Sequence, residues 1–586
     1  MSWTQVIDPL QNISLSALIA SIPIIFIFLS LLKKMKGYQT SLITLLIAII
    51  IAMTVYGMPL KLALLSTLHG AFYGLFPICW IIISAVFLFN VTVKSGQFEI
   101  IKNFMASITP DRRLQALLIA FSFGAFLEGA AGFGAPVAIS GAMLVGLGFN
   151  PLYAAGICLI ANTAPVAFGS VGTPIIMASR MSDIPELAIS QMVGRTLPLL
   201  SLILPLYLVV LMSGFKRSME VLPAIIVSGV SFALVQWVTS NFMGPMLPDV
   251  LAGITSIICL MILLKYWKPD SIWRFSEEPL ASMDTRLKYT KSEVLRAWSP
   301  FIIMTLFIIA WGLQPVKDAL NHIGFIKFQI PGLNGSILKP DGSPLGIKAF
   351  EFNFLSAPGS AVTLATLISL PLLGLTFKRG IEAFVATLKQ LKVPIITIAS
   401  VVGFAFITNY SGMSITIAMA LASTGVLFPF FSPILGWLGV FLTGSDTSSN
   451  ALFSKLQSSS ADALGFDPVI TVSANASGGV TGKMISPQSI AIGAAAVGLV
   501  GKEADLFRFT FKHSFLMLFI ICVLTCLQVY VMNWIVPVYK KLEVGAPVAA
   551  GSAHVNLGYF YLGILTIILL MISSVVLFLN KQKIRR

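Results

Sequence analysis

The amino-acid sequence predicts an all-α polytopic membrane protein, with about 13 transmembrane helices and two re-entrant hairpins arranged as two inverted repeats. Three observations carry this. First, 57% of the 586 residues are hydrophobic and only 10% are charged, with mean hydropathy +0.92, whereas soluble domains run near a quarter charged. Second, apolar runs long enough to span a bilayer recur along the chain. Third, the two halves share motifs at a constant offset. A soluble enzyme, a nucleic-acid binder and a disordered chain are excluded. The net charge of +15 belongs to short basic clusters between apolar runs, which is the positive-inside bias, so no nucleic-acid partner is expected.

A spanning helix needs roughly 20 apolar residues. Candidates in the first half are 14–32, 40–57, 76–94, 152–179, 187–213, 218–240 and 248–266. The second half offers 297–314, 357–377, 394–410, 468–498, 510–536 and 556–580. Basic clusters orient them: Lys33, Lys34 and Lys36; Lys216 and Arg217; seven Lys and Arg residues between Lys265 and Arg296; and the tail Lys581, Lys583, Arg585 and Arg586. Placing these inside puts the N-terminus outside, the C-terminus in the cytoplasm and the 315–356 loop outside. The N-terminal residues lack a basic n-region, so no cleaved signal peptide is expected. The domain plan is a first repeat over 1–264, a cytoplasmic loop over 265–296 and a second repeat over 297–586.

Two apolar stretches remain, 114–149 and 431–466, each interrupted by small and polar residues. Two full spans need about 40 apolar residues plus a turn. Parity settles the first: Arg112 and Arg113 lie inside, and 187–213 must run inward to deliver Lys216. If 152–179 crosses once, then 114–149 enters and leaves on one side, as a re-entrant hairpin does.

The repeat is visible in the letters. Phe126-Leu127-Glu128-Gly129 matches Phe441-Leu442-Thr443-Gly444, and Leu147 to Pro151 (LGFNP) matches Leu464 to Pro468 (LGFDP). Asn162 matches Asn475, Pro174 matches Pro487, Pro77 matches Pro394, and Ser95-Gly96 matches Ser411-Gly412. The offset stays between about 313 and 317. Charge counting gives the repeats opposite orientations, and inverted repeats with broken helices mark secondary transporters.

The hairpin tips are the candidate site. One reads Glu128 to Pro136 through Gly129, Gly132, Phe133 and Gly134; the other reads Gly444, Ser445, Asp446, Thr447, Ser448, Ser449 and Asn450. Irregular backbone at membrane depth survives only where protein or a wet cavity satisfies it. Half-helices opening at Pro136 and at Ser448–Asn450 would present free N–H groups to an anion. Breaks at Asn162-Thr163-Ala164-Pro165 and at Asn475 to Gly479 through Ser477 make four in all; kinked helices whose small residues permit close packing are the bland alternative. Glu128 and Asp446 are the acids deep in apolar segments and the proton-coupling candidates, since an intramembrane carboxylate is functional by default. A structural ion pair is the alternative. Lys455, Lys483 and Arg195 are the available cations, with snorkelling to the interface as the alternative. His69 reads as an interfacial histidine. The five cysteines lie in apolar segments without ligand spacing, so neither metal nor cofactor is expected. No P-loop and no HExxH is present, and Gly478 to Met484 lacks the hydroxyl residue that should follow Lys483.

The stretches GAFLEGAAGFGAPVAISGAML (124–144), IANTAPVAFGSVGTPI (160–175), FLTGSDTSSNALFSKLQ (441–457) and SANASGGVTGKMISPQSIAIG (473–493) resemble the bacterial L-lactate permease family. That resemblance implies proton-coupled uptake of lactate, with glycolate as a related substrate, in the bacterial cytoplasmic membrane. It also implies an elevator-type core moving against a dimeric scaffold, with lipid and a second copy as its partners. The residues then divide by chemistry. Gly132, Gly134, Ser445, Thr447, Ser448 and Asn450 would take the carboxylate at half-helix ends, Asn162 or Asn475 the hydroxyl, and Phe133 or Phe453 the methyl. Thr163, Ser477 and Lys483 complete the expected substrate contacts. A sodium-coupled carboxylate or dicarboxylate carrier on the same scaffold is the rival reading. A membrane-embedded enzyme or sensor would need a catalytic constellation or soluble domain that the sequence lacks.

Overall fold

Apolar runs become helices here because only a helix satisfies its own backbone inside a bilayer. The computed structural model describes residues 2–32, 35, 37–132, 134–275, 289–347, 349–422, 425–500 and 502–540. Within them the chain is helical apart from two-stranded pairings: Trp3–Thr4 runs parallel to Ile337–Leu338, and Ile326–Phe328 antiparallel to Phe350–Phe352. The 556–580 span, the tail cluster, Lys33, Lys34, Lys36, Arg286 and Lys288 lie outside the described residues.

Ten helices among the described residues are long and apolar enough to cross a membrane, or 11 counting a bent pair as one span. The 13 expected spans include 556–580, outside these residues; among the other twelve several bounds shift. Segment 357–377 shortens to Pro358–Leu372, and 14–32 divides at Ser21 into Ile13–Ala20 and Ile22–Leu32. Conversely 76–94 and 394–410 are the ends of longer 35-residue stretches, Leu60–Lys94 and Phe377–Ser411. Hydropathy alone missed these extensions because their N-terminal turns are amphipathic.

Each repeat contains a helical hairpin. Helix Arg112–Ala130 is followed by Ala135–Gly146; a Cβ on Gly124 would sit 3.6 Å from Ser140 Oγ, so the limbs run back along each other. Helix Phe428–Thr443 turns at Gly444 into Asp446–Leu464, and Ser449 Oγ donates back to Gly436 O at 3.1 Å. Backbone specials repeat too. Gly96 and Gly412 both take left-handed φ, 76° and 92°, as do Gly148 and Gly465, 97° and 73°. After the last pair, Asn150 and Asp467 each cap a proline-initiated helix, accepting from Leu152 N at 2.9 Å and Val469 N at 3.0 Å.

At the break after each hairpin the halves diverge. Pro151–Ala161 ends at Asn162, and after a 3-10 turn the chain resumes in Gly169–Ser182, bent by 65° from the first piece. Pro165 cannot donate to a helix ladder, which accounts for the interruption. The expected break at Asn475–Gly479 does not occur: Pro468–Lys483 is one continuous helix, interrupted only at 484–486 before Pro487–Ala496. No proline stands between 469 and 486, and the glycines serve packing instead. A Cβ on Gly478 would lie 2.0 Å from Pro433 O, and one on Gly482 2.3 Å from Trp437 O. The helix therefore seats directly on the first limb of the second hairpin, as small residues allow membrane helices to do.

The base of the first hairpin is tied down by Arg113, which is fully buried. It donates to both Asp111 oxygens, to Arg217 O at 2.7 Å, to Glu220 Oε2 at 2.8 Å and to Ser271 O at 2.9 Å.

Candidate functional site

The two tips, the first break and the 484–486 break converge on one cavity of about 390 Å³. From the first hairpin come Glu128 and Gly134, and from the broken helix Gly169, Ser170, Thr173 and Pro174. The second hairpin supplies Thr443 to Ser448, and the last break supplies Lys483, Gln488 and Ser489.

Each tip folds as its residues dictate. Gly134, at φ 81°, leads into a helix with Pro136 in its first turn. Gly444, at φ 70°, ends one limb, and Ser445 caps the next, its hydroxyl accepting from Ser448 N at 3.3 Å. The second half-helix therefore opens at Asp446, two residues before the expected Ser448. The N–H groups of Asp446 and Thr447 belong to the first turn, where a helix has no internal acceptor. Pro487–Ala496 likewise begins at the cavity, capped by Ser486. Three helix N-termini thus face the same space, a setting that favours negative charge.

Between the tips, Ser170, Val171 and Gly172 take left-handed φ of 46°, 58° and 73°. For a β-branched residue such as Val171 this is strained, at about 1–3 kcal/mol. Ser170 Oγ donates to Ala131 O at 3.0 Å, holding the strained loop against the first tip.

Lys483 Nζ donates to Glu128 Oε1 at 2.5 Å, and both side chains are nearly fully buried. Lys483 thus pairs with an acid in the cavity wall; it does not snorkel. Asp446 lies beside this pair. Its Oδ2 accepts from Asn450 Nδ2 at 3.4 Å, while Asp446 Oδ1 and Glu128 Oε2 are buried without a hydrogen-bond partner. The other two cations go elsewhere. Lys455 pairs with Asp183 at 3.2 Å, and Arg195 donates to Asn241 Oδ1 at 2.9 Å and to the Ile535 carbonyl.

Of the sequence-predicted residues, Glu128, Gly134, Ser445, Asp446, Thr447, Ser448 and Lys483 line the cavity. Gly132 lines a neighbouring one, and Phe133 lies outside the described residues. Asn450 stands behind the wall, donating to Pro174 O at 3.1 Å and accepting from Asn475 Nδ2 at 2.9 Å. Asn475 and Ser477 are interior to the unbroken helix, where Asn475 accepts from Gln457 at 3.3 Å. Asn475 is off the cavity wall and connects to it through Asn450 and Asp446, so it is not placed for the direct hydroxyl contact expected of it. Asn162 and Thr163 also lie off the cavity wall, with buried side-chain oxygens lacking partners. Phe453 packs against Gly439 rather than into the cavity.

Sequence reasoning missed Thr173, Gln488 and Ser489. The signal existed, since they flank the duplicated Pro174 and Pro487. It also missed another buried carboxylate close to Glu128, Asp249, which is 1% exposed. A Cβ on Gly129 would lie 2.9 Å from Asp249 Cβ, so the acid sits against the residue following Glu128. Its Oδ1 accepts from Gln236 at 3.2 Å, and the same amide donates to Ala164 O at the first break. In the sequence Asp249 looks like an ordinary first-turn acid after Pro248; only packing buries it. Among the described residues, no group of three His, Cys, Asp or Glu side chains is placed to hold a metal ion.

A cavity among interrupted helices, with a buried ion pair and three helix N-termini in its wall, is the construction of a membrane carrier for a small solute. Residues 16–532 match the family model described as L-lactate permease. The chain is 54% identical over 564 residues to the L-lactate permease of Bacillus subtilis, covering 92% of this chain and 100% of that protein. It is 50% identical over 548 residues to the L-lactate permease of Escherichia coli K12 (91% and 100%). It is also 50% identical over 554 residues to the glycolate permease GlcA of Escherichia coli K12 (91% and 99%). The chain belongs to the L-lactate permease family, whose members are multi-pass membrane transporters and not enzymes.

Proposed function

We propose that this protein carries L-lactate, and related 2-hydroxymonocarboxylates such as glycolate, across the cytoplasmic membrane together with protons. The observation that carries the reading is the Lys483–Glu128 pair in the wall of a cavity lined by helix N-termini. Lactate brings one negative charge, and the cavity offers an ammonium already engaged by a carboxylate. A proton taken up by Glu128 frees Lys483 to receive the substrate carboxylate, so proton and anion load together with no net change in buried charge. That exchange avoids the cost of an unpaired ion at membrane depth. Ser448, Thr447 and Gln488 supply hydrogen bonds for the hydroxyl, and Asp446, set by Asn450 and Asn475, is a second proton acceptor. In this reading the two repeats lie inverted across the bilayer with re-entrant hairpins, and the core moves elevator-fashion against a dimeric scaffold. The N-terminus faces outside and the C-terminus the cytoplasm.

Uptake of radiolabelled L-lactate into proteoliposomes tests this, without sodium and with an acid-outside pH gradient. Accumulation that a protonophore collapses is expected. Glu128→Gln should lose net proton-driven uptake while retaining lactate exchange; unimpaired uphill uptake in that variant removes Glu128 from the role. Uptake that appears only with sodium overturns the proton reading in favour of a sodium-coupled carrier, and no uptake under either condition overturns the substrate.

A further inference from the structure

We infer that the protein has a second binding site for a small carboxylate anion, centred on Arg180. This rests on the proposed reading that the solute is a monocarboxylate. A cavity of about 400 Å³ lies between the helices Gly169–Ser182 and Asp446–Leu464 and the 339–346 loop. Its wall carries three cations, Arg180, Lys455 and Lys339, against a single carboxylate, Asp183. That carboxylate is taken by Lys455 at 3.2 Å.

Arg180 shares a hydrogen bond with Tyr73 and feels the more distant charges of Glu186 and Glu351. Among the described residues no carboxylate forms an ion pair with it, and its Nε is buried without a hydrogen-bond partner. Its nearest ring is Tyr73, 5.9 Å from the guanidinium carbon to the centroid. A second polar group in the same wall is also unsatisfied. His69, 1% exposed, meets the Tyr410 hydroxyl through Nδ1 at 3.3 Å, and its Nε2 has no partner. Tyr73, Phe406 and Tyr410 surround that imidazole, with centroids 5.7, 5.0 and 6.1 Å away. Buried cations and buried polar nitrogens are costly unless paired. Here one ligand satisfies both: a carboxylate accepts from the planar guanidinium fork, an α-hydroxyl meets His69 Nε2, and the aromatic rings cover the carbon end.

The site's position gives it a role. The main cavity uses Thr173 and Asp446 to Ser448 at the N-terminal ends of these two helices; the second cavity uses Arg180 near the C-terminal end of one and Lys455 midway along the other. At 1.5 Å per residue, Thr173 to Arg180 spans about 10 Å and Asp446 to Lys455 about 13 Å. Hydrogen bonds join the two helices beside the main cavity: Thr447 Oγ1 donates to Thr173 Oγ1 at 3.3 Å and Asn450 Nδ2 to Pro174 O at 3.1 Å. The Arg180 site holds a carboxylate one step away from the Lys483–Glu128 pair along the same two helices.

Equilibrium binding of radiolabelled L-lactate to the purified full-length protein tests the inference. Wild type should bind two lactates per chain, Arg180→Gln one, and Lys483→Gln the other one. Arg180→Lys keeps the charge but loses the fork, and should weaken one class of site about tenfold; it serves if Arg180→Gln does not fold, as judged by size exclusion and thermal melting. A wild type that transports lactate but binds a single equivalent, unchanged by either Arg180 substitution, overturns this inference and leaves the proposed function standing. A wild type that neither binds nor transports lactate overturns the proposed function, and this site as a lactate site with it.

Discussion

Breaking the Lys483–Glu128 pair from either side should have unequal consequences, and a double substitution should restore much of what one partner's loss removes. At a separation of 2.5 Å and an effective dielectric near 20, the Coulomb attraction is roughly 7 kcal/mol before desolvation. Desolvation of two ions offsets most of that, but removing one partner leaves the other buried and unpaired, which costs about 3–5 kcal/mol. Lys483→Met is the severe case, because Glu128 Oε2 already lacks a partner and Oε1 would then lose its own. Glu128→Gln is milder, since the amide oxygen still accepts from Lys483. The pair Glu128→Gln with Lys483→Met removes both charges, so its loss should fall short of the summed singles by about 2–3 kcal/mol. Denaturant titration in mixed micelles measures all four corners of the cycle, with lactate counterflow as the functional readout. A Lys483→Met variant within 1 kcal/mol of wild type, or strictly additive losses, would refute the buried-pair reasoning.

Gly478→Ala should prevent assembly of the helix Pro468–Lys483 on the second hairpin, because its Cβ would lie 2.0 Å from a backbone oxygen; expression with fluorescence-detected size exclusion reads this. Gly146→Ala, where a Cβ meets nothing within 4 Å in a helical turn, should instead fold normally and gain about 0.5–1 kcal/mol. Gln236→Ala should destabilise by about 1–3 kcal/mol by stripping a hydrogen bond from each of Asp249, Ala164 and Ser201, with thermal melting as the check. The exposed Glu220 carboxyl is held below the ordinary range by hydrogen bonds from Arg113 and then Ser271. The folded state thus keeps it ionised to lower pH than the unfolded chain does, so its stabilisation is present above the ordinary glutamate value of about 4.3 and fades as pH falls below it. Melting temperatures of wild type and Glu220→Gln should differ at neutral pH and converge in that acidic window.

Much of the site was legible because the chain says the same thing twice. Glycine at 96 and 412, and at 148 and 465, recurs where the backbone turns left-handed, and the paired motifs named both hairpin tips. What failed was reading a duplicated letter as a duplicated role. Asn162 stands at a real interruption because Pro165 follows it; Asn475 stands inside an unbroken helix because Gly478 and Gly479 follow it. Glycine permits a break but does not require one, and here close packing against Pro433 keeps the helix whole.

Composition and hydropathy by themselves determined the solvent: a chain this apolar must satisfy its backbone in helices within lipid. Motif repetition determined which segments depart from that rule. Tertiary structure alone decided which charges meet. Lys483 and Glu128 are separated by 355 positions, Lys455 and Asp183 by 272, and Asp249 becomes a buried acid only because Gly129 lets it approach. Local sequence encodes the cost of burying an ion; the partner that offsets this cost comes from elsewhere in the chain, and only the fold chooses it.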